Sequence, residues 1–239
     1  MAETSAIHKP VAADLPHLIH TLRALVEAES PSDNKSSVDA AVALTTRLAA
    51  PLNPRIRRHR QKHFGDILEL HFGPALHFGP RPTPTRKPIL LLTHLDTVWP
   101  LGTLRSMPFR QRNGRIFGPG ALDMKAGIAM ALTALRALQS LGLARPVTLL
   151  LNSDEEVGSD SSQEITERLA LRSSEVYVLE PSFGLKGAVK TARKGVGEYL
   201  VKVRGIAAHS GLDFGKGQSA IIELSKQVAE ISKLTDLNR

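Results

Sequence analysis

The hydrophobic pattern along the chain changes period several times, and each change predicts an element. Over residues 14–28, Leu15, Leu18, Leu22, Leu25 and Val26 recur at the spacing of an amphipathic helix. Turn residues over 29–35 break that pattern. Ser36 or Ser37 is placed to cap a second helix through Val38, Val42 and Leu48 to about Ala50, where Pro51 and Pro54 stop it. Residues 55–60 and 66–72 alternate as strands at a sheet edge do, and 79–88 form a proline-rich connector that resists regular structure. Residues 89–92 are apolar without alternation, as in a central parallel strand covered on both faces. Residues 146–152 repeat that pattern, and 175–179 supply a third strand. Between the strands lie a periodic helix (Met124, Ile128, Ala131, Leu132, Leu135, Leu138) ended by Gly142 and another helix over about 161–171.

From Leu185 the pattern reverts to the alternation of antiparallel strands, over 185–193 and 196–204. A loop at 207–211 and one helical stripe (Ile221, Leu224, Val228, Ile231) follow. Strands alternating with helices predict an α/β domain with a mostly parallel central sheet over 1–192, and the later change predicts the start of a second domain over 193–239. No internal repeat is present.

Composition narrows the chemistry. With 239 residues, 42% hydrophobic and 23% charged, the chain can bury a sizeable core. It has no cysteine, which excludes disulfide and thiolate chemistry and leaves histidine and carboxylates to hold any metal. The first residues lack a signal-peptide core, and no apolar run approaches the ~20 residues that span a bilayer. The expectation is a cytoplasmic protein with no membrane partner. A net charge of +8 raises the question of nucleic acid. The densest basic cluster, Arg55, Arg57, Arg58, Arg60 and Lys62, alternates along a strand-like segment with only Phe64 nearby to stack on a base. A solvated edge strand explains it better, and no nucleic-acid partner is expected.

The candidate chemistry sits where the predicted parallel strands end. His94 and Asp96 follow the first strand, Asp154, Glu155 and Glu156 the second, and Glu180 the third, with Asp123 at a helix start. Taken singly, each has an ordinary explanation as a loop histidine, a helix N-cap or a solvated acid. Their shared place at the carboxyl edge of one sheet is the argument for a bound cation. One imidazole with several carboxylates suits one or two zinc ions, or a similar divalent metal. Adjacent Glu155 and Glu156 can divide the work, one binding and the other moving protons. Gly118 and Gly120 lack the spacing of a phosphate loop.

The runs HLDTVWP, GPGALDMKAG, NSDEEVGS, VLEPS and GIAAHSG, in that order across residues 94–211, resemble the dizinc aminoacylase and carboxypeptidase family. That family includes acetylornithine deacetylase, succinyl-diaminopimelate desuccinylase and glutamate carboxypeptidase, and HLDTVWPLGT is most similar to the last branch. The resemblance implies a three-layer zinc-peptidase-like catalytic domain with an inserted α+β, ferredoxin-like lid and dimerisation domain. It implies two zinc ions, with Co2+ or Mn2+ as substitutes, and hydrolysis of the amide bond of an N-acyl amino acid or short peptide by a homodimer. His94 would bind one zinc, Asp96 would orient its imidazole, and Asp123 would bridge both ions. Glu156 would bind one ion and Glu180 the other, and Glu155 would be the general base. His209, from the lid, would stabilise the tetrahedral oxyanion in the partner subunit's site. The family's later lid elements and the segment with a second histidine ligand have no counterpart here. The chain therefore looks truncated at its C-terminus, and the alternative expectation is a non-catalytic remnant of such an enzyme.

Overall fold

The structure, a computed structural model, describes residues 2–73, 87–142, 145–184 and 186–236. The connector expected at 79–88 falls almost wholly outside them. The chain divides into two compact units, Met1–Val189 and Lys190–Arg239.

The first unit opens with helices α1 (Ala2–Ala13), α2 (Leu15–Glu27) and α3 (Lys35–Ala49). Asn34, not Ser36 or Ser37, caps α3: its Oδ1 accepts from the Ser37 amide at 3.0 Å and from the Ser36 hydroxyl at 2.8 Å. Asparagine is as good a cap as serine, and the helix starts as soon as one is available.

Strands β1 (Arg55–His59), β2 (Ile67–Phe72) and β3 (Ile89–His94) follow, then a short hairpin of β4 (Arg110–Arg112) and β5 (Arg115–Phe117). Its turn, Asn113-Gly114, takes positive φ of 51° and 70°, as a two-residue hairpin requires. The unit is completed by α4 (Ala126–Ser140), β6 (Val147–Asn152), α5 (Gln163–Arg172) and β7 (Glu175–Val178).

The main sheet has the order β1-β2-β6-β3-β7. Strands β6, β3 and β7 pair in parallel, and β2 runs antiparallel to β1 and β6, so it alone opposes the other four. The mostly parallel sheet is thus as expected, but 66–72 is not an edge. All six β2 residues are buried. Its polar members face a covered surface, where Glu69 takes His59 Nε2 at 2.6 Å and His71 Nε2 at 2.7 Å, and His71 Nδ1 meets Thr148 Oγ1 at 3.0 Å. Alternation here records a buried polar row rather than a wet one. The true edge on this side is β1, whose arginines are exposed; Arg58 reaches Asp66 at 2.7 Å.

Alternate β6 residues face opposite ways. Leu149 and Leu151 join Leu25, Val42, Leu68, Ile128 and Leu132 beneath α2, α3 and α4, while Leu150 packs with Ile67, Leu90 and Leu169 beneath α5. The result is three layers, helices on both faces of one sheet. Each fully buried leucine contributes about 2 kcal/mol, so β6 and β3 are anchored firmly and their carboxyl ends are held in register. At the far edge Val176, Tyr177 and Val178 of β7 remain about half exposed.

Among the described residues, the alternating segments 185–193 and 196–204 do not form strands. Among the described residues after Leu179 the only β-pairings are the isolated bridges Phe183↔Ala188 and Ile206↔Gln218. Val196 and Tyr199 are almost fully exposed, so the alternation has no surface to pack against and no ladder to join. Helix α6 (Ala220–Ser232) forms as expected, capped by Ser219 Oγ at 3.2 Å from the Ile222 amide, with Ile221, Leu224, Val228 and Ile231 open to solvent. Among the described residues no helix is long and apolar enough to cross a membrane.

Candidate metal centre

The sheet delivers its chemistry at the carboxyl ends of three neighbouring strands. The ladders extend past the strand ends: Leu95 N donates to Asn152 O at 2.8 Å and Leu179 N to Leu92 O at 3.0 Å. Backbone pairing therefore positions His94, the 154–156 acids and Glu180 side by side. The His94 ring is 1% exposed. Its Nδ1 lies 2.9 Å from the Asp96 carbonyl oxygen and 3.5 Å from the Asp96 carboxylate, so Nδ1 donates to that carbonyl and Nε2 points outward. That Nε2 faces Asp123 Oδ1 at 3.2 Å, Glu180 Oε1 at 3.3 Å and Glu155 Oε2 at 3.9 Å.

Asp123 is not the helix cap its position suggested. It lies in a single π-helical turn, Ala121–Lys125, with an extended backbone (φ −114°, ψ 102°) and a cis peptide to Met124, and α4 begins only at Ala126. Its side chain turns to His94 instead. Gly127, in the first turn of α4, lets the helix lie against β7: a Cβ there would overlap the Leu179 carbonyl oxygen, next to Glu180.

The three consecutive acids are sorted by the backbone. Asp154 is buried, and its Oδ2 accepts from Ser161 N at 2.7 Å and Ser162 N at 3.2 Å, closing the loop. Glu155 and Glu156, in a one-turn helix, point to the cluster. Among the described residues two sets offer ligand atoms that lie, within each set, no more than 4.8 Å apart: His94, Glu155 and Glu180, and His94, Asp123 and Glu156. His209 belongs to the second unit, where its Nδ1 accepts from the Gly211 and Leu212 amides, each at 3.1 Å, and caps its own loop.

A ring of supporting residues surrounds the cluster, and of these the sequence had singled out Asp96 alone. Asp96 is fully buried and ties three segments together: Oδ2 accepts from Ser32 Oγ at 2.8 Å and Glu156 N at 3.1 Å, and Oδ1 from Glu155 N at 3.3 Å. Ser30 Oγ donates to Leu95 O at 2.6 Å, and the 30–32 and 95–97 segments exchange backbone bonds. The turn before α3 is therefore the floor of the site, which its turn-rich composition did not reveal. Glu29 accepts from Gly102 N at 2.7 Å and Leu104 N at 2.9 Å, pinning the loop after β3. Lys125 is buried, donates to Ala28 O at 2.9 Å, and is pushed by burial down to about 7 despite Glu29 and Asp96 nearby. The one sequence sign of such a residue was a lysine inside an otherwise apolar helix start.

Electrostatics show what the cluster lacks. Burial disfavours a charged His94 ring, yet the Asp96 and Glu180 carboxylates raise it to about 11. Burial and mutual repulsion raise Asp123, with Glu180 as its main opponent, and burial likewise raises Glu155 and Glu156. A buried imidazole forced to hold a proton among crowded carboxylates marks a place where positive charge is wanted. A divalent ion replacing that proton satisfies all of them, and the nitrogen-plus-oxygen donor set fits one.

An α/β sheet ending in such a cluster forms a candidate divalent-metal centre, and comparison with known proteins names the family. Peptidase family M20/M25/M40 matches residues 90–229, more than half of the chain, and the chain belongs to that family. It is 32% identical to carboxypeptidase G2 of Pseudomonas sp. (strain RS-16) over 152 residues, 63% of this chain and 37% of that protein. It is also 32% identical to acetylornithine deacetylase of Salmonella arizonae over 151 residues, 62% of this chain and 38% of that one. The chain thus spans less than two-fifths of the length of these curated relatives. Among solved structures, aminopeptidase PepT from Bacillus cereus shares the fold with a TM-score of 0.63 at 22% identity, over 89% of this chain and 55% of that one.

Proposed function

We propose that the chain carries a zinc-dependent amidase site acting on an N-acyl amino acid or short peptide, in the manner of a glutamate carboxypeptidase. The observation that carries this reading is His94 Nε2 facing the carboxylates of Asp123, Glu180 and Glu155 at 3.2, 3.3 and 3.9 Å. His94, Asp123, Glu156 and Glu180 would hold the metal. A bound ion would supply Lewis acidity to the scissile carbonyl and to water. Glu155 takes the proton of the attacking water and hands it to the departing amine. Its raised pKa suits a group that must do both. Asp96 holds the His94 tautomer through its carbonyl and the Glu155–Glu156 loop through its carboxylate. His209 enters as the oxyanion-stabilising residue, and assembly as a homodimer enters with it, on the GIAAHSG motif alone.

One observation favours a second reading, a chain that binds a single ion without turnover: both candidate ligand groups draw on the same imidazole, His94. The two are separated by dialysing the protein against trace zinc, counting bound ions and assaying hydrolysis of N-acylglutamates. Glu155→Gln is expected to lower turnover at least about 100-fold while retaining the zinc. Normal hydrolysis by that variant would remove Glu155 from the mechanism.

A further inference from the structure

The ligand cluster shares one wall with a cavity of about 490 Å³ that the chemistry above does not use. Glu156 and Val157 line it from one side, Val98 and Leu101 from the loop after β3, and Pro31 and Asp33 from the turn before α3. All of these residues belong to the first unit. Val98, Leu101 and Val157 are 64%, 50% and 52% exposed, so apolar side chains surround a hollow that opens beside the metal ligands.

The walls are built rather than incidental. Glu29 holds the backbone of the loop at Gly102 and Leu104, and the Pro31↔Thr97 bridge joins the opposite side to the same loop. The charged residues in the lining are Asp33 and Glu156, with no lysine or arginine. With Glu156 engaged by the ion, a carboxylate entering here would meet the like charge of Asp33 and no lysine or arginine in the lining. A neutral apolar group would cover three exposed aliphatic side chains. The size is that of a small-molecule subsite.

We propose that this cavity is the specificity pocket for the acyl half of the substrate, and that it selects an uncharged apolar acyl or side-chain group while keeping the amino-acid carboxylate out. The assignment rests on the amidase reading of the metal centre. Each methylene buried is worth about a fourfold preference, so an aryl-bearing acyl group half-covered by these walls gains about tenfold or more over acetyl.

The test compares N-phenylacetylglycine with N-acetylglycine in the zinc-loaded protein. The expected result is kcat/KM at least about tenfold higher for the phenylacetyl compound, with that ratio falling to within about twofold of unity in Leu101→Asp. In parallel, the Glu155→Gln protein with 13C-labelled methyls is titrated with both compounds. Saturable shifts at Val98, Leu101 and Val157 with the phenylacetyl compound alone are expected. Turnover with no preference and no methyl shift, or a preference that survives Leu101→Asp, overturns the pocket and leaves the amidase reading standing. Methyl shifts without turnover of either compound sink the amidase reading and the acyl-subsite assignment with it, leaving only a hollow that binds apolar groups; neither turnover nor shifts sinks both.

Discussion

Replacing Asp96 by asparagine changes one atom and separates two roles. The carboxylate accepts from Ser32 Oγ at 2.8 Å, Glu156 N at 3.1 Å and Glu155 N at 3.3 Å. An asparagine oxygen in the Oδ2 position can keep the first two, but its amide nitrogen then faces the Glu155 N–H, donor against donor. An unsatisfied buried donor costs about 1–3 kcal/mol, and the two retained bonds lose their charge assistance. A total of about 3 kcal/mol lowers Tm by roughly 6–12 °C in a domain of this size. His94 is expected to lose a neighbouring charge but keep its orientation, because its Nδ1 bonds the Asp96 backbone at 2.9 Å and the carboxylate lies farther away, at 3.5 Å. Calorimetry of the zinc-saturated protein, chelator competition and a turnover assay should show Tm and turnover falling more than zinc affinity. Hydrogen bonds from His94 and Ser32 hold the Asp96 carboxyl, against its burial, below the ordinary 3.8. Its stabilisation is therefore complete above that pH and is lost as pH falls through the folded-state value, so wild type and variant should converge in strong acid. Unchanged Tm with collapsed zinc affinity would refute the argument and return the carboxylate to the imidazole alone.

Other perturbations test other parts of the structure. Asp123→Ala should reduce bound zinc, measured by atomic absorption after dialysis, as well as rate; full zinc content would show that its contact with His94 is incidental. Gly127→Ala should cost about 1–3 kcal/mol by forcing α4 off the Leu179 carbonyl and should weaken zinc binding through Glu180. A Tm and zinc affinity equal to wild type would mean that the helix yields freely. Glu69, whose burial is outweighed by His71 and His59, is held down to about 2 from an ordinary 4.5. Its contribution, about 3 kcal/mol, is full above pH 4.5 and is lost as pH falls toward 2, so Glu69→Gln should flatten acid unfolding over that window. An unaltered acid limb in the variant would rule out this linkage.

The candidate ligands His94, Glu155, Glu156 and Glu180 were legible because they follow apolar strands, whose ends hydrophobicity alone can mark, whereas Asp123 sits in the turn before α4 and carried no such mark. What supports them was not legible. Ser30, Ser32 and Glu29 sit in a run that reads as an ordinary turn, and only the tertiary approach of residues 95–104 gives them partners. The β2 segment shows the limit of alternation as a signal, since Glu69 and His71 look solvent-facing until His59 and Thr148 meet them across the ladder. The β4–β5 hairpin carried a readable Asn-Gly sign. In the second unit, alternation over 196–204 marked an apolar face without a surface to bury it.

The parallel ladder through β6, β3 and β7 acts as a gauge. Adjacent strands stand about 4.8 Å apart whatever their side chains, so the spacing between the His94 strand and its neighbours on either side is set by peptide hydrogen bonds. Substitutions within the core can loosen or tighten packing without changing that interval. Under the proposed metal reading, the calibre of the centre, and hence which ion it would grip best, is left to side-chain reach: exchanging aspartate for glutamate at 123, or the reverse at 156 or 180, would be the direct way to retune it.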